Sequence, residues 1–195
     1  EGSLWISCAG GLSGVSHIPV QRVEGEGDKV QIKICGLMGG HSGAEIDKNR
    51  ANANKLMGRF FYGLKKKADY AIVSLAGGQK DNAITRECTA QVLTNASAEV
   101  KAYAKELQAQ IREEYAGTDE NISIEVTEEG TVCTQVLHPT SQEKVLFYLQ
   151  NVPFGVQKMS GTIPGLVETS TNIGILRLDE DELFASSSVR SSVDT

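Results

Sequence analysis

Between residues 28 and 37 the chain alternates apolar and polar side chains. Val30, Ile32 and Ile34 share one face of this segment, and the side chains between them are polar. Alternation with a period of two is typical of a strand that buries one face. The pattern therefore predicts a half-buried strand, and the glycine-rich run Gly39-Gly40-His41-Ser42-Gly43 after it predicts a loop.

Two segments have the apolar spacing of amphipathic helices. The first runs from about Asp47 to Lys66, and Asp47 is the expected N-cap residue. The second runs from about Ser97 to Tyr115, and Gly117 suits its C-terminal end. The expected buried positions are Ala53, Leu56, Met57, Phe60, Phe61 and Leu64 in the first helix and Val100, Ala104, Leu107, Ile111 and Tyr115 in the second.

The remaining patterns between these helices predict strands at 70–76, 84–93 and 122–127. Together with the first strand and the two helices, they give the order β-α-β-β-α-β over residues 28–127. This order is that of a ferredoxin-like split unit.

Residues 128–195 predict a second block of strands with one helix. Thr140 and Glu143 have the spacing of a capping box that begins this helix, which should end before Pro153. The whole chain thus predicts an α+β fold, with one antiparallel sheet, helices on one face, and a ferredoxin-like unit extended by a second sheet-and-helix block. The further expected elements are strands at 4–8, 131–137, 155–160, 171–179 and 183–189 and a turn at 9–14.

The amino-acid composition disfavours nucleic acid and membranes as partners. The net charge of −6 disfavours nucleic acid, because an acidic surface repels phosphate. No apolar run approaches the roughly 20 residues that cross a bilayer, and no signal peptide is visible, so we expect no membrane partner. Four widely separated cysteines lie in strand-like runs, which favours buried thiols in a reducing cytoplasm. They are Cys8, Cys35, Cys88 and Cys133.

The ends of the chain suggest a part of a longer protein. It has no initiator Met and begins and ends within strand-like patterns. We therefore expect an excised piece, with a processed mature chain as the alternative.

The sequence does not predict a self-contained active site. The three histidines, His17, His41 and His138, show no metal-ligand spacing, and neither an HExxH nor a GxSxG motif is present. By residues alone, this chain is a poor candidate for a complete enzyme.

Three residues are nevertheless candidates for binding chemistry. His41 lies in the glycine-rich loop, where an imidazole can approach a ligand closely and donate to a developing oxyanion. The amide of Asn82 can pair with a carboxylate or a carbonyl. The guanidinium of Arg190 can hold a terminal carboxylate through two hydrogen bonds. The structural alternatives are a loop histidine packed on the sheet edge, an Asx-turn asparagine and a solvated arginine.

Several motifs together resemble the lid domain of the aminoacyl-histidine dipeptidases. The longest and most specific is Gly36-Leu37-Met38-Gly39-Gly40-His41-Ser42-Gly43-Ala44-Glu45-Ile46-Asp47. The weaker ones occur in the same order over essentially the whole chain. They are 50–56, the Gly77-Gly78 turn with 81–84, 168–172 and 188–192.

The resemblance implies a cytosolic exopeptidase that hydrolyses Xaa-His and related dipeptides. In this family, which is related to carnosinases and aminoacylases, the lid is inserted into a catalytic domain that binds two zinc ions. By resemblance, His41 steadies the tetrahedral intermediate, Asn82 helps to hold the dipeptide and Arg190 binds its C-terminal carboxylate. The zinc ligands would lie outside residues 1–195, in the protein's own catalytic domain, so we expect the fragment alone to be inactive.

A non-enzymatic function is the competing interpretation. A β-α-β-β-α-β layer also serves as a dimerisation module or as a regulatory module that binds a small ligand, and fold alone does not decide between functions. An exposed sheet edge or helix face could pair two chains. A homodimer is compatible with both interpretations.

Overall fold

The computed structural model describes residues 9–193, and in this range three helices lie against a largely antiparallel sheet. This architecture confirms the predicted α+β fold class. The helices are α1 (Ala53–Leu64), α2 (Ser97–Glu114) and α3 (Pro139–Asn151). The strands are β1 (Gly10–Pro19), β2 (Arg22–Cys35), β3 (Gly40–His41), β4 (Ala71–Gly77), β5 (Ala83–Ile84), β6 (Cys88–Thr94), β7 (Ser123–Leu137), β8 (Gly155–Met159), β9 (Val167–Leu178) and β10 (Glu182–Ser191).

The main sheet has the strand order β1-β10-β9-β4-β6-β2-β7, and β8 pairs with β9. The segment β7-β2-β6-β4 has the antiparallel arrangement that a β-α-β-β-α-β unit forms. Strands β9, β10 and β1 continue the sheet beyond β4. The junction between β4 and β9 is short, since only Ala76 with Arg177 and Gly77 with Leu176 are paired.

The core lies between this sheet and the helices. Phe60 and Phe61 of α1 are fully buried, and the Phe61 ring stacks on that of Tyr70 at a centroid distance of 5.4 Å. Burying a phenylalanine side chain contributes about 1.5–3 kcal/mol. The first helix also packs against α3, so one continuous apolar cluster joins both parts of the sheet.

The first helix begins later than predicted. Asp47 is exposed and belongs to a short 3-10 helix, Ile46–Lys48, which ends where Asn49 takes a left-handed conformation with φ of 52°. The N-cap is instead Asn52, whose side chain accepts hydrogen bonds from the backbone N–H groups of Asn54 and Lys55.

The third helix has a different cap from the predicted one. The Nδ1 of His138 accepts from the backbone N–H of Thr140 at 3.2 Å, so His138 is the N-cap residue. Glu143 does not reach back to the helix start as a capping box requires, because its carboxylate pairs with Lys65.

Two predicted boundaries in the sheet are also wrong. Residues 10–19 form β1 rather than a turn, because their backbone pairs with β10 along its whole length. The separate strands expected at 122–127 and 131–137 are one strand, β7, which pairs with β2 on both sides of a register shift near Gly130. The strand expected at 4–8 lies outside the described residues.

The thiols do not all share one environment. Cys35 and Cys88 are buried as expected, but Cys133 is exposed, because it lies on the edge strand β7. Within residues 9–193, no helix has both the length and the apolar character needed to cross a membrane.

Candidate functional site

The loop that carries His41 lies beside the loop that carries Asn82. His41 is paired with Ala83, since the short strands β3 and β5 are antiparallel neighbours. The backbone N–H of Ser42 donates to the carbonyl oxygen of Asn82 at 2.9 Å. Both His41 and Asn82 are exposed. Two of the predicted site residues are therefore adjacent, although they are far apart along the chain.

The ring of His41 is oriented by its own loop. Its Nδ1 accepts from the backbone N–H groups of Gly43 and Ala44, both at 3.1 Å. A backbone N–H only donates, so Nδ1 is the unprotonated nitrogen of the ring. The neutral imidazole consequently carries its proton on Nε2, which makes this nitrogen a hydrogen-bond donor.

Glu45 and Arg50 hold the same loop from its other side. The Oε2 of Glu45 accepts from the backbone N–H of His41 at 2.8 Å. Its Oε1 pairs with the guanidinium of Arg50 at 2.8 Å, and that guanidinium also donates to the carbonyl oxygen of Gly39. The hydrogen bond from His41 and then the pairing with Arg50 lower the pKa of Glu45 below its usual value.

Glycine is required at position 40, where the loop turns against this ion pair. Gly40 has φ of 142°, and a Cβ there would lie 2.7 Å from Oε2 of Glu45 and closer still to the guanidinium of Arg50. A side chain at position 40 would therefore displace the Glu45–Arg50 ion pair, the clamp that holds the loop of His41.

Arg190, on β10, approaches the same loop from the main sheet. A Cβ at Gly43 would lie 2.9 Å from Nε of Arg190 and 3.1 Å from Cε1 of His41. The guanidinium and the imidazole thus both lie against Gly43, which has no side chain to separate them. The structure brings together all three predicted site residues, His41, Asn82 and Arg190, while their roles stay predictions.

The Nε of Arg190 is buried and has no hydrogen-bond partner among residues 9–193. A buried donor without a partner lowers the free energy of unfolding by about 1–3 kcal/mol. The loss is larger when the group is charged. Such a cost is reduced when a ligand or another part of the protein supplies an acceptor.

The two other histidines lie elsewhere. His17 is on β1, where its Nδ1 lies 2.9 Å from Oε2 of Glu182 and its ring meets Phe184 edge to face. His138 is the cap of α3. Sequence analysis assigned no binding role to either, and the structure brings neither to the loop of His41.

Three buried polar residues that position the loops were missed. Asp119 accepts from the backbone N–H groups of Met38, at 2.5 Å, and Ala51, at 2.7 Å, and so ties together both ends of the loop segment. Asn52 and Asn172 form a second set of contacts beneath Asn82. Both asparagines lie in motifs that carried the family resemblance, and that was the available signal.

The donor set of this site does not fit a metal ion. Nδ1 of His41 is occupied by two N–H groups, and the carboxylate of Glu45 is occupied by Arg50. Over the described part of the chain, no three His, Cys, Asp or Glu side chains form a group that could hold one.

Comparison with known proteins shows which proteins the chain is similar to. Residues 32–119 match the family model of a peptidase dimerisation domain. The chain is 29% identical over 199 residues to the cytosol non-specific dipeptidase of Escherichia coli (strain K12), an alignment that covers 100% of this chain and 41% of the relative.

The fold matches the crystal structure of aminoacylhistidine dipeptidase from Vibrio alginolyticus with a TM-score of 0.92. That match has 30% sequence identity and covers 100% of this chain and 40% of the other. The chain therefore spans about two fifths of the length of these two relatives. The resemblance inferred from the motifs is confirmed: residues 32–119 match the model of the peptidase dimerisation domain, and the whole chain shares its fold with the matching part of an aminoacylhistidine dipeptidase.

Proposed function

We propose that this chain is the lid domain of a cytoplasmic dipeptidase that hydrolyses Xaa-His and related dipeptides. Both relatives are dipeptidases, which supports dipeptides as substrates, and the aminoacylhistidine dipeptidase from Vibrio alginolyticus supports the Xaa-His class. The observation that carries the proposal is the fixed tautomer of His41, whose ring lies against Gly43 together with the Nε of Arg190, a buried donor without a partner among residues 9–193.

In this proposal, His41 acts on the reacting carbonyl. When a peptide carbonyl is attacked, negative charge develops on its oxygen, and a donor already oriented toward that oxygen stabilises the transition state. The Nε2–H of His41 supplies such a donor without a prior change of tautomer. Losing one donor of this kind typically costs about 100–1000-fold in rate.

Arg190 and Asn82 hold the substrate. The guanidinium of Arg190 binds the free C-terminal carboxylate of the dipeptide through parallel hydrogen bonds, which selects short substrates with a free end. The amide of Asn82 lies next to His41 and can both donate and accept, so it pairs with a polar group of the bound dipeptide.

The family resemblance implies two zinc ions, and we assign them to the protein's own catalytic domain. The described residues offer no fitting group of ligands. The chain by itself is accordingly expected to be inactive.

The test is replacement of His41 in the full-length protein. His41→Ala should lower kcat on an Xaa-His dipeptide by about 100-fold or more. His17→Ala is the matched control, because it removes an exposed imidazole away from the loop. A loss below threefold in His41→Ala, with normal folding, would remove His41 from the mechanism.

We also propose that the chain self-associates, since residues 32–119 match a dimerisation domain. This property would suit either a lid or a module without catalytic function. Light scattering after gel filtration, over a hundredfold range of concentration, should give the mass of a dimer. A constant monomer mass would contradict self-association and would leave the role of His41 unaffected.

A further inference from the structure

A buried asparagine holds the backbone on both sides of Asn82. Asn172 has no exposed surface. Its Nδ2 donates to the carbonyl oxygen of Asp81 at 2.9 Å and to that of Ala83 at 2.9 Å. These carbonyls lie on either side of Asn82 in the chain, so one side-chain amide holds the peptide group before Asn82 and the one after Ala83.

The same amide is anchored to the start of α1. The Oδ1 of Asn172 accepts from Nδ2 of Asn52 at 3.2 Å, and that Nδ2 also donates to the carbonyl oxygen of Ile173 at 3.0 Å. The Oδ1 of Asn52 accepts from the N–H of Asn54 at 2.9 Å as the cap of the helix. Asn52 and Asn172 therefore connect the loop of Asn82 to the rigid end of a helix.

The orientation of Asn172 is determined by its partners. Two carbonyl oxygens only accept, so the NH2 group must face them and the oxygen must face Asn52. Burying an amide is unfavourable unless its hydrogen bonds are made, and here both of its ends are paired. An apolar residue of similar size would fill the space but would leave both carbonyls without a donor.

The hydrogen-bond ladder of the sheet does not hold this loop. Strands β4 and β9 pair only at Ala76 and Gly77, just before the loop begins. Beyond that point β9 has a bulge at Gly174, where a Cβ would lie 2.4 Å from the carbonyl oxygens of Lys80 and Asp81. The amide of Asn172 supplies the connection that strand pairing provides elsewhere.

The hydrogen bonds that hold the loop of Asn82 also affect the position of His41. His41 is paired with Ala83, and the N–H of Ser42 donates to the carbonyl oxygen of Asn82. A shift of residues 81–83 would therefore move His41 as well. We infer that the buried pair Asn52–Asn172 is a positioning device that sets Asn82 and His41 in register with each other for catalysis, an inference that rests on the proposed function.

The principal test is Asn172→Asp in the full-length protein. The introduced carboxylate matches the amide in size but cannot donate to the two carbonyls. We expect kcat/KM on an Xaa-His dipeptide to fall about 10- to 100-fold, because misplacement by about 1 Å has effects of this order. The loss should grow with rising pH, since the protonated carboxyl can still donate to one carbonyl and burial favours that form.

Asn52→Asp is the second variant, in case the first does not fold. It keeps the Oδ1 that caps α1 and loses only the donor to Asn172 and Ile173. Gln142→Glu is the matched control, because it makes the same chemical change at a partly buried amide that binds Tyr70 and Ile72, away from the loop. The control should stay within threefold of the wild type.

Hydrogen exchange gives a readout that does not depend on activity. In both asparagine variants, the amide of Ser42 should exchange faster than in the wild type and in the Gln142→Glu control. Unchanged exchange at Ser42 would overturn the inference, even if activity fell.

Adding Asn172→Asp to a variant that already lacks both positioned side chains separates the inference from the proposed function. In an Asn82→Ala, His41→Ala background, adding Asn172→Asp should reduce activity by less than threefold, because the residues it positions are gone. Full additivity would overturn the inference and leave the proposed function intact. If Asn82→Ala and His41→Ala were each close to wild type, the proposed function would fail, and hydrogen exchange would still decide the inference.

Discussion

The Nζ of Lys55 lies 2.7 Å from the carbonyl oxygen of Leu149, at the C-terminal end of α3. The same ammonium group donates to the carbonyl oxygens of Gln150, at 3.2 Å, and Val152, at 2.7 Å. A cation at this end of a helix satisfies carbonyls that lack partners and complements the helix dipole. Because Lys55 belongs to α1, this contact fastens α3 to a helix whose buried face forms part of the core.

Replacing this lysine should therefore weaken the whole fold. Lys55→Met keeps most of the side-chain stem and removes the charge, and it should lower the free energy of unfolding by about 1.5–3 kcal/mol. Urea denaturation would measure the change. Lys48→Met is the control, since Lys48 is exposed and pairs with its sequence neighbour Asp47. Equal stability of the two variants would contradict this role for Lys55.

Arg190→Ala in the full-length protein should mainly weaken substrate binding. Removing one member of a close charge pair costs roughly 2 kcal/mol or more, which corresponds to about a 30-fold rise in KM for a free dipeptide. Arg177→Ala is the control, because Arg177 lies on the adjacent strand and pairs with Asp179. If the wild type cleaved amidated dipeptides as well as free ones, Arg190 would not be the carboxylate-binding residue.

The loop of His41 should loosen in acid through Glu45. The folded-state pKa of Glu45 is lowered by the His41 N–H and by Arg50. Its stabilising effect is therefore fully present above the pKa of an unfolded glutamate and is lost as pH falls through the lower folded-state value. An NMR titration should give a Glu45 midpoint below the usual glutamate value, and Arg50→Gln should raise it. A midpoint at the usual value in the wild type would contradict the clamp.

The described thiols should differ in reactivity. Cys133 is exposed, whereas Cys88 is fully buried and burial raises its pKa well above the usual value. Burial and then the hydrogen bond to Glu125 also raise the pKa of Cys35. Since the thiolate is the reactive form, iodoacetamide should modify Cys133 first. Peptide mapping of a Cys8→Ser protein would measure the order, and early labelling of Cys88 would show that the fold opens there.

The local apolar pattern predicted where the helices lie more accurately than it predicted their N-cap residues. The apolar stripe placed α2 within one residue of its observed bounds, because one buried face determines it. For α1, the predicted cap was Asp47, whereas the observed cap is Asn52. The choice depends on Asp119, which binds the N–H of Ala51 from a distant loop, and no local pattern contains that contact.

The edge strand β1 was missed for a related reason. Its glycines and serines give no alternating apolar pattern, and its conformation depends on pairing with β10, which is distant in sequence. Strand propensity is weak where packing against neighbours supplies most of the preference.

The candidate site was predictable in part. The glycines around His41 indicated a loop that could approach a ligand, but its proximity to Arg190 depends on packing between residues far apart in the chain. Asn52 and Asn172 lay in motifs that carried the resemblance, but the sequence did not identify them as positioning residues, since their importance lies in burial and in mutual hydrogen bonds.

The short pairing between β4 and β9 has a mechanical consequence. Two residue pairs join these strands, whereas β9 and β10 are paired along almost their entire length. Tension applied across the sheet should therefore rupture it between β4 and β9 first, at low force. The pieces that separate would each keep their own ladders, while helix packing between α1 and α3 and side-chain hydrogen bonds such as that between Asn52 and Asn172 would still link them.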